Sequence, residues 1–67
     1  MTMTTIIRTI QATNGELTRE IEIISRDGRV YLHDTADQNH NGDVLLVDDT
    51  DTSIADALRE GGFEIVG

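Results

Sequence analysis

Cysteine and lysine are both missing from this chain of 67 residues, and its aromatic side chains number two, Tyr31 and Phe63. Without thiols there is no disulfide to staple the fold and no thiolate to hold a metal, so cohesion falls to packing. A chain this short makes a single small domain, residues 1–67, and buries only about 60% of the surface that its unfolded form exposes. The longest apolar run, Val44 to Val47, has four residues, against the roughly 20 that a membrane span requires. No basic, apolar secretory leader is legible. The expectation is a soluble, cytoplasmic protein.

What the chain does contain is aliphatic and acidic. Eight Ile, five Leu and four Val suit strands better than a helical bundle. Thirteen acidic residues against five Arg leave a net charge of −8. A nucleic-acid backbone rewards clustered cations, so direct nucleic-acid binding is not expected. A field of this sign attracts basic protein surfaces, and it also serves solubility. The missing Lys and the abundance of Asp and Thr suit a salt-adapted protein as well.

Two hairpin signals organise the first half. The β-branched stretch Thr4 to Thr13 ends in Asn14-Gly15, and Glu16 to Ser25 runs back from it. With Asn14-Gly15 as a two-residue turn, Ile10 faces Arg19, Arg8 faces Ile21 and Ile6 faces Ile23. One face then holds Ile6, Ile10, Ala12, Leu17, Ile21 and Ile23, with Arg8 and Arg19 at its rim. Asp27-Gly28 makes a second turn, placing Ile23 opposite Leu32, Ile24 opposite Tyr31 and Glu22 opposite His33. Both turns give the same inside.

Asp34 to Gly42 reads as an exposed loop and Val44 to Val47 as a covered strand. A short helix follows, with Ser53 and Asp56 as a variant capping box, an apolar stripe of Ile54, Ala57 and Leu58, and Gly61-Gly62 as its end. Phe63 to Val66 closes the chain as a strand. The expected fold class is α+β: a small mixed sheet in the order β-β-β-β-α-β. In it an antiparallel three-stranded meander precedes a strand-helix-strand crossover, and one helix packs on one face.

Asp37 to Asp48 spells a calcium-loop pattern. Asp37, Asn39 and Asn41 stand at positions 1, 3 and 5, Gly42 at the turn, Asp43 offers a carbonyl, and Asp48 is the closing acid. Leu45 at position 9 and an Asp in place of the closing Glu weaken the cage, and no helices flank it. The alternative is a loop solvated by its Asp and Asn residues, with Asn41-Gly42 as a turn of positive φ. His33 and His40 with Asp34 and Asp37 match no structural zinc spacing. In the plain alternative His33 pairs across strands with Glu22, and His40 is a solvated loop residue. No catalytic constellation is legible: Asp48 and Asp49 point to opposite faces of a continuing strand, so they make a poor acid/base couple.

Surfaces remain. The face away from the helix is expected to carry Glu20, Glu22, Ile7, Ile24 and Tyr31, an apolar centre ringed by carboxylates. Asp48, Asp49, Asp51 and Asp56 form a second acidic surface that resembles the phosphates of a nucleic acid. These residues compose the expected partner-binding set, and the expected partner is a basic protein surface, such as that of a nucleic-acid-binding protein. In size, acidity and lack of catalytic motifs the chain is similar in type to phage-encoded inhibitors of host defence, anti-CRISPR proteins among them, although no motif carries that similarity. The competing readings are a weak calcium module and a salt-adapted protein. Exposed strand edges permit a monomer or a homodimer.

Overall fold

The computed structural model describes residues 3–66. Five strands and one helix follow in chain order: β1 Thr4–Thr13, β2 Thr18–Arg26, β3 Arg29–Asp34, β4 Val44–Leu46, α1 Asp51–Glu60 and β5 Glu64–Ile65. The strands form one sheet in the order β4-β3-β2-β1-β5. The α+β class and the element order are those expected from the sequence. One detail differs, because every hydrogen-bonded pair is antiparallel. β4 and β5 do run in the same direction, but they lie at opposite edges, so α1 carries the chain across the whole sheet rather than to a neighbouring strand.

The Asp27-Gly28 turn behaves as its residues dictate. Both have positive φ, 55° and 76°, the requirement of the type I′ hairpin. Ile23 accordingly faces Leu32, Ile24 faces Tyr31 and Glu22 faces His33. The Asn14-Gly15 turn is longer than two residues. Asn14 Oδ1 accepts from the backbone N–H groups of both Glu16 and Leu17, each at 2.8 Å, so the strands separate at Thr13 and Thr18. The register moves by two positions, pairing Ile10 with Ile21 and Arg8 with Ile23. A two-residue shift preserves which face each side chain occupies, but it leaves Leu17 exposed in the loop.

A bulge between Ile6 and Arg8 breaks that parity. Ile6 lies opposite Ile24 instead of Ile23, and so leaves the helix side of the sheet.

The core fills the side under α1: Ile10, Ala12, Ile21, Ile23, Leu32 and Leu46 meet Ile54 and Leu58, with Val30, Ala57 and Phe63 around them. Arg8 and Arg19 hold the rim, as expected. The head of Arg8 pairs with Asp51 and that of Arg19 lies 3.6 Å from Asp34.

The cap of α1 is Thr50 and not Ser53. Its hydroxyl accepts from Ser53 N at 3.3 Å, because the helix begins three residues before the position that the Ser53/Asp56 spacing indicated. At the other end Gly62 takes φ 82°, while its N–H bonds Arg59 O and that of Phe63 bonds Leu58 O. This double closure is a Schellman motif, and Phe63 and Leu58 supply its hydrophobic contact.

Candidate functional site

The loop between β3 and β4 is not a simple solvated excursion. Asp34 O accepts from Asp37 N and Asp37 O accepts from His40 N, so the chain makes two successive tight turns. His40 stands in the left-handed region at φ 56°, an uncommon conformation for a residue with a β-carbon. Positive φ therefore falls on His40, not on the expected Asn41-Gly42 pair. The consequence is that the loop folds back over the sheet face opposite α1.

His40 lands on His33. Their rings stack with centroids 3.8 Å apart and planes 15° from parallel. His33 projects from β3 on the side away from the core and is nevertheless buried. Asp43, its side chain only 5% exposed, faces both rings: Oδ1 lies 2.7 Å from His33 Nδ1, and Oδ2 lies 2.8 Å from His40 Nδ1. Arg26 adds a guanidinium 3.7 Å from Oδ2 and also sits over Tyr31, 4.6 Å from the ring centroid. Tyr31 and Arg26 thus form a cation–π pair, and Tyr31 is half-buried instead of standing at the centre of an open acidic patch. Ile24 beside it is 1% exposed.

Among the described residues, the His, Asp and Glu donors that lie close enough to share one ion are those of His33, His40 and Asp43, all within 4.8 Å of one another. Asp37 and Asp48, the two ends of the calcium pattern, fall outside this group. Asp37 Oδ2 accepts Gly42 N at 2.6 Å. That bond is the largest cause that holds its carboxyl below the ordinary range; desolvation opposes it, and the Asn41 N–H and then His33 and His40 reinforce it. Asp48 Oδ1 takes the hydroxyls of Ser53 at 2.5 Å and Thr50 at 2.6 Å, and Thr50 N at 3.1 Å. The Ser53 hydroxyl is the largest cause of its lowered pKa. Asn39 and Asn41 are exposed.

The acidic residues expected to bind a partner separate onto two sides. Glu20 and Glu22 lie on β2 with Tyr31, on the face away from α1. Asp48, Asp49, Asp51 and Asp56 cluster where β4 gives way to α1. β4 ends at Leu46, so strand alternation does not govern Asp48 and Asp49. A groove of about 250 Å³ runs beside this cluster, lined by Val44 to Val47 from the strand segment and by Ser53, Asp56, Ala57 and Glu60 from the helix. Leu45 and Val47 are 60% and 94% exposed there. The sequence pattern that marked Val44 to Val47 as covered misses this, because a strand at a sheet edge has no neighbour on one side. Among the described residues, no helix is long and apolar enough to cross a membrane.

Comparison with protein-family models, with curated proteins and with solved structures finds no match.

Proposed function

We propose that the protein is a non-enzymatic binding protein that takes an extended basic segment of a partner along β4 and the acidic start of α1. The observation that carries the reading is the coincidence of three features at one edge. The strand has a ladder partner on one side only, Leu45 and Val47 are exposed, and the adjoining groove ends in carboxylates. Unpaired strand edges accept added strands, with main-chain bonds for affinity and side-chain pockets for specificity. Carboxylates at the rim steer and select a cationic partner. A second copy of this chain suits the edge poorly. Two edges laid together would oppose the aspartates at 48 and 49 of each, with a net charge of −8 on either molecule.

In this reading Asp49, Asp51, Asp56 and Glu60 stand where phosphates would stand on a basic groove. The role is then inhibition of a nucleic-acid-binding protein by occupying that groove. Asp48 contributes field but is tied to Thr50 and Ser53, and Asp51 is tied to Arg8. A test therefore reverses three exposed charges outside the cap, Asp49→Lys with Asp56→Lys and Glu60→Lys, at the cost of one exposed pair between Asp56 and Arg59.

The probe is a synthetic peptide of alternating Arg and Val, followed by amide NMR. Expected are shifts centred on Val44 to Leu46 and the first two turns of α1, weakened by salt and weakened more than about tenfold in the triple variant, which is ~1.4 kcal/mol. Shifts centred on Glu20, Glu22 and Tyr31 would move the docking surface to the other face. An unaffected spectrum would end the proposal.

A further inference from the structure

We infer that His33, His40 and Asp43 form a binding site for a divalent transition metal, zinc or nickel in class, distinct from the calcium pattern written through the same loop. Two imidazole nitrogens and one carboxylate oxygen make a donor set of borderline softness, which suits zinc or nickel and not calcium, a cation that seeks six to eight oxygens. Three protein ligands leave a fourth position for water, the arrangement of an accessible zinc site.

The loop brings these donors together from ten positions apart. His33 is carried on a paired strand and buried, and Asp43 stands directly before β4, so two of the three ligands rest on the sheet. His40 arrives on a backbone held at φ 56°. A left-handed conformation at a residue with a β-carbon costs about 1–2 kcal/mol, and it is spent on placing this ring.

The rearrangement that a metal demands falls on His40, because stacked rings 15° from parallel aim their lone pairs along near-parallel lines and one ring must turn for both to meet a single ion. Nδ1 of each ring now meets an Asp43 oxygen at 2.7–2.8 Å, the spacing of direct hydrogen bonds. Bonds of about 2.0–2.1 Å from one tetrahedral ion set its ligands roughly 3.3 Å apart. Each nitrogen must therefore part from its Asp43 oxygen by about half an ångström as the rings unstack, and His40, with its side chain 36% exposed, is the member free to turn and the route of entry.

Arg26 opposes the ion. Its guanidinium lies 3.7 Å from Asp43 Oδ2, where it shares the carboxylate that the metal needs. Removing that charge should tighten metal binding, an effect opposite in sign to the usual loss from mutating beside a site.

The test uses chelator-treated full chain titrated with zinc chloride and then nickel chloride, with the imidazole nitrogens followed by NMR. Expected is saturation at one zinc per chain, with the ring-nitrogen resonances of His33 and His40 shifting together. His40→Asn keeps a side-chain N–H to bond Asp43 and tolerates left-handed backbone, so it preserves the loop while removing a ligand. It should lose affinity by more than the ~10–100-fold that follows from deleting an outer-shell partner. Arg26→Gln should gain several-fold. Equal zinc affinity in wild type and His40→Asn overturns the proposal. So does a response confined to calcium and indifferent to His40→Asn, which would return the loop to its oxygen ligands.

Discussion

The Ser53 hydroxyl donates to Asp48 Oδ1 at 2.5 Å, across the first turn of α1. Thr50 joins the same oxygen through its hydroxyl and its backbone N–H, at 2.6 and 3.1 Å. Its own Oγ1 in turn accepts Ser53 N. Three residues thereby close the start of the one helix that covers the core, and one of them also belongs to the acidic edge.

Loss of the cap is the simplest test of that closure. Thr50→Ala should lower unfolding free energy by about 1 kcal/mol, read as an earlier urea midpoint with unchanged slope. Ser53→Ala should cost less, since Thr50 retains the cap. Equal losses from the two would mean that Ser53 is the cap after all.

Acid should reveal the same bonds. Asp48 and Asp37 have their carboxyls held below the ordinary value of 3.8, by the Ser53 hydroxyl and the Gly42 N–H respectively. A carboxyl depressed in the folded state stabilises it fully above the unfolded pKa, and that stability is lost as pH falls through the folded pKa. Stability should therefore be level above about pH 5 and decline below about pH 4. Carboxyl carbon shifts should show both groups titrating below the ordinary value, and Asp48→Asn should flatten the acid limb. Titration of either group at the ordinary value would contradict the assignment.

Core depth makes a third prediction. Ile54, on the sheet-facing side of α1, is fully buried, so Ile54→Val should cost about 0.5–1.5 kcal/mol and Ile54→Ala about 2–5 kcal/mol. A domain of this length holds roughly 3–10 kcal/mol in all. The alanine variant should accordingly show a substantial unfolded fraction at ambient temperature, visible in amide dispersion.

Gly28 marks the register of β2 and β3. At φ 76° nothing lies within 4 Å of an added β-carbon, so Gly28→Ala is unfavourable through backbone conformation alone, by about 1–2 kcal/mol. Asp27→Asn should be nearly neutral, because Asn favours the same left-handed position. A neutral Gly28→Ala would imply a different turn.

Added salt separates two sources of stability. The Arg8–Asp51 pair is exposed at both ends, so Arg8→Gln should change stability by under about 1 kcal/mol. The excess of acid over Arg should by contrast make the wild type more stable as salt rises, since screening relieves self-repulsion. A melting temperature that falls with moderate sodium chloride would count against a charge-limited fold.

Much of this architecture is legible in local chemistry. Asp27-Gly28 specifies its own turn because few residue pairs tolerate two positive φ values, and the alternation outward from it places Ile23 opposite Leu32 and Ile24 opposite Tyr31 without further information. Ile54, Ala57 and Leu58 mark the buried stripe of α1, and Gly61-Gly62 its end. The candidate surfaces are legible only as residue types: Asp48, Asp49, Asp51 and Asp56 are near in sequence and stay near in space, whereas the covered appearance of Val44 to Val47 hides an edge.

Other features depend on contacts that sequence spacing does not encode. Asn14 can serve a two-residue turn or cap a longer loop, and the two options differ by two hydrogen bonds to Glu16 and Leu17. The bulge beside Ile7 turns Ile6 away from the core with no glycine to announce it. β5 pairs with β1 because the crossover helix spans the sheet, a matter of long-range packing and not of local preference. The meeting of His33, His40 and Asp43 is likewise a tertiary outcome. Their sequence separations match no metal motif, and only the folding back of one loop onto a sheet face puts two imidazoles against a single buried carboxylate. Sequence alone determined the strands, one turn register, the helix and the sign of the surface field, since these follow from side-chain periodicity, backbone freedom and charge. Tertiary structure decided which edge stays open and which side chains share a site, because both depend on where distant segments come to rest.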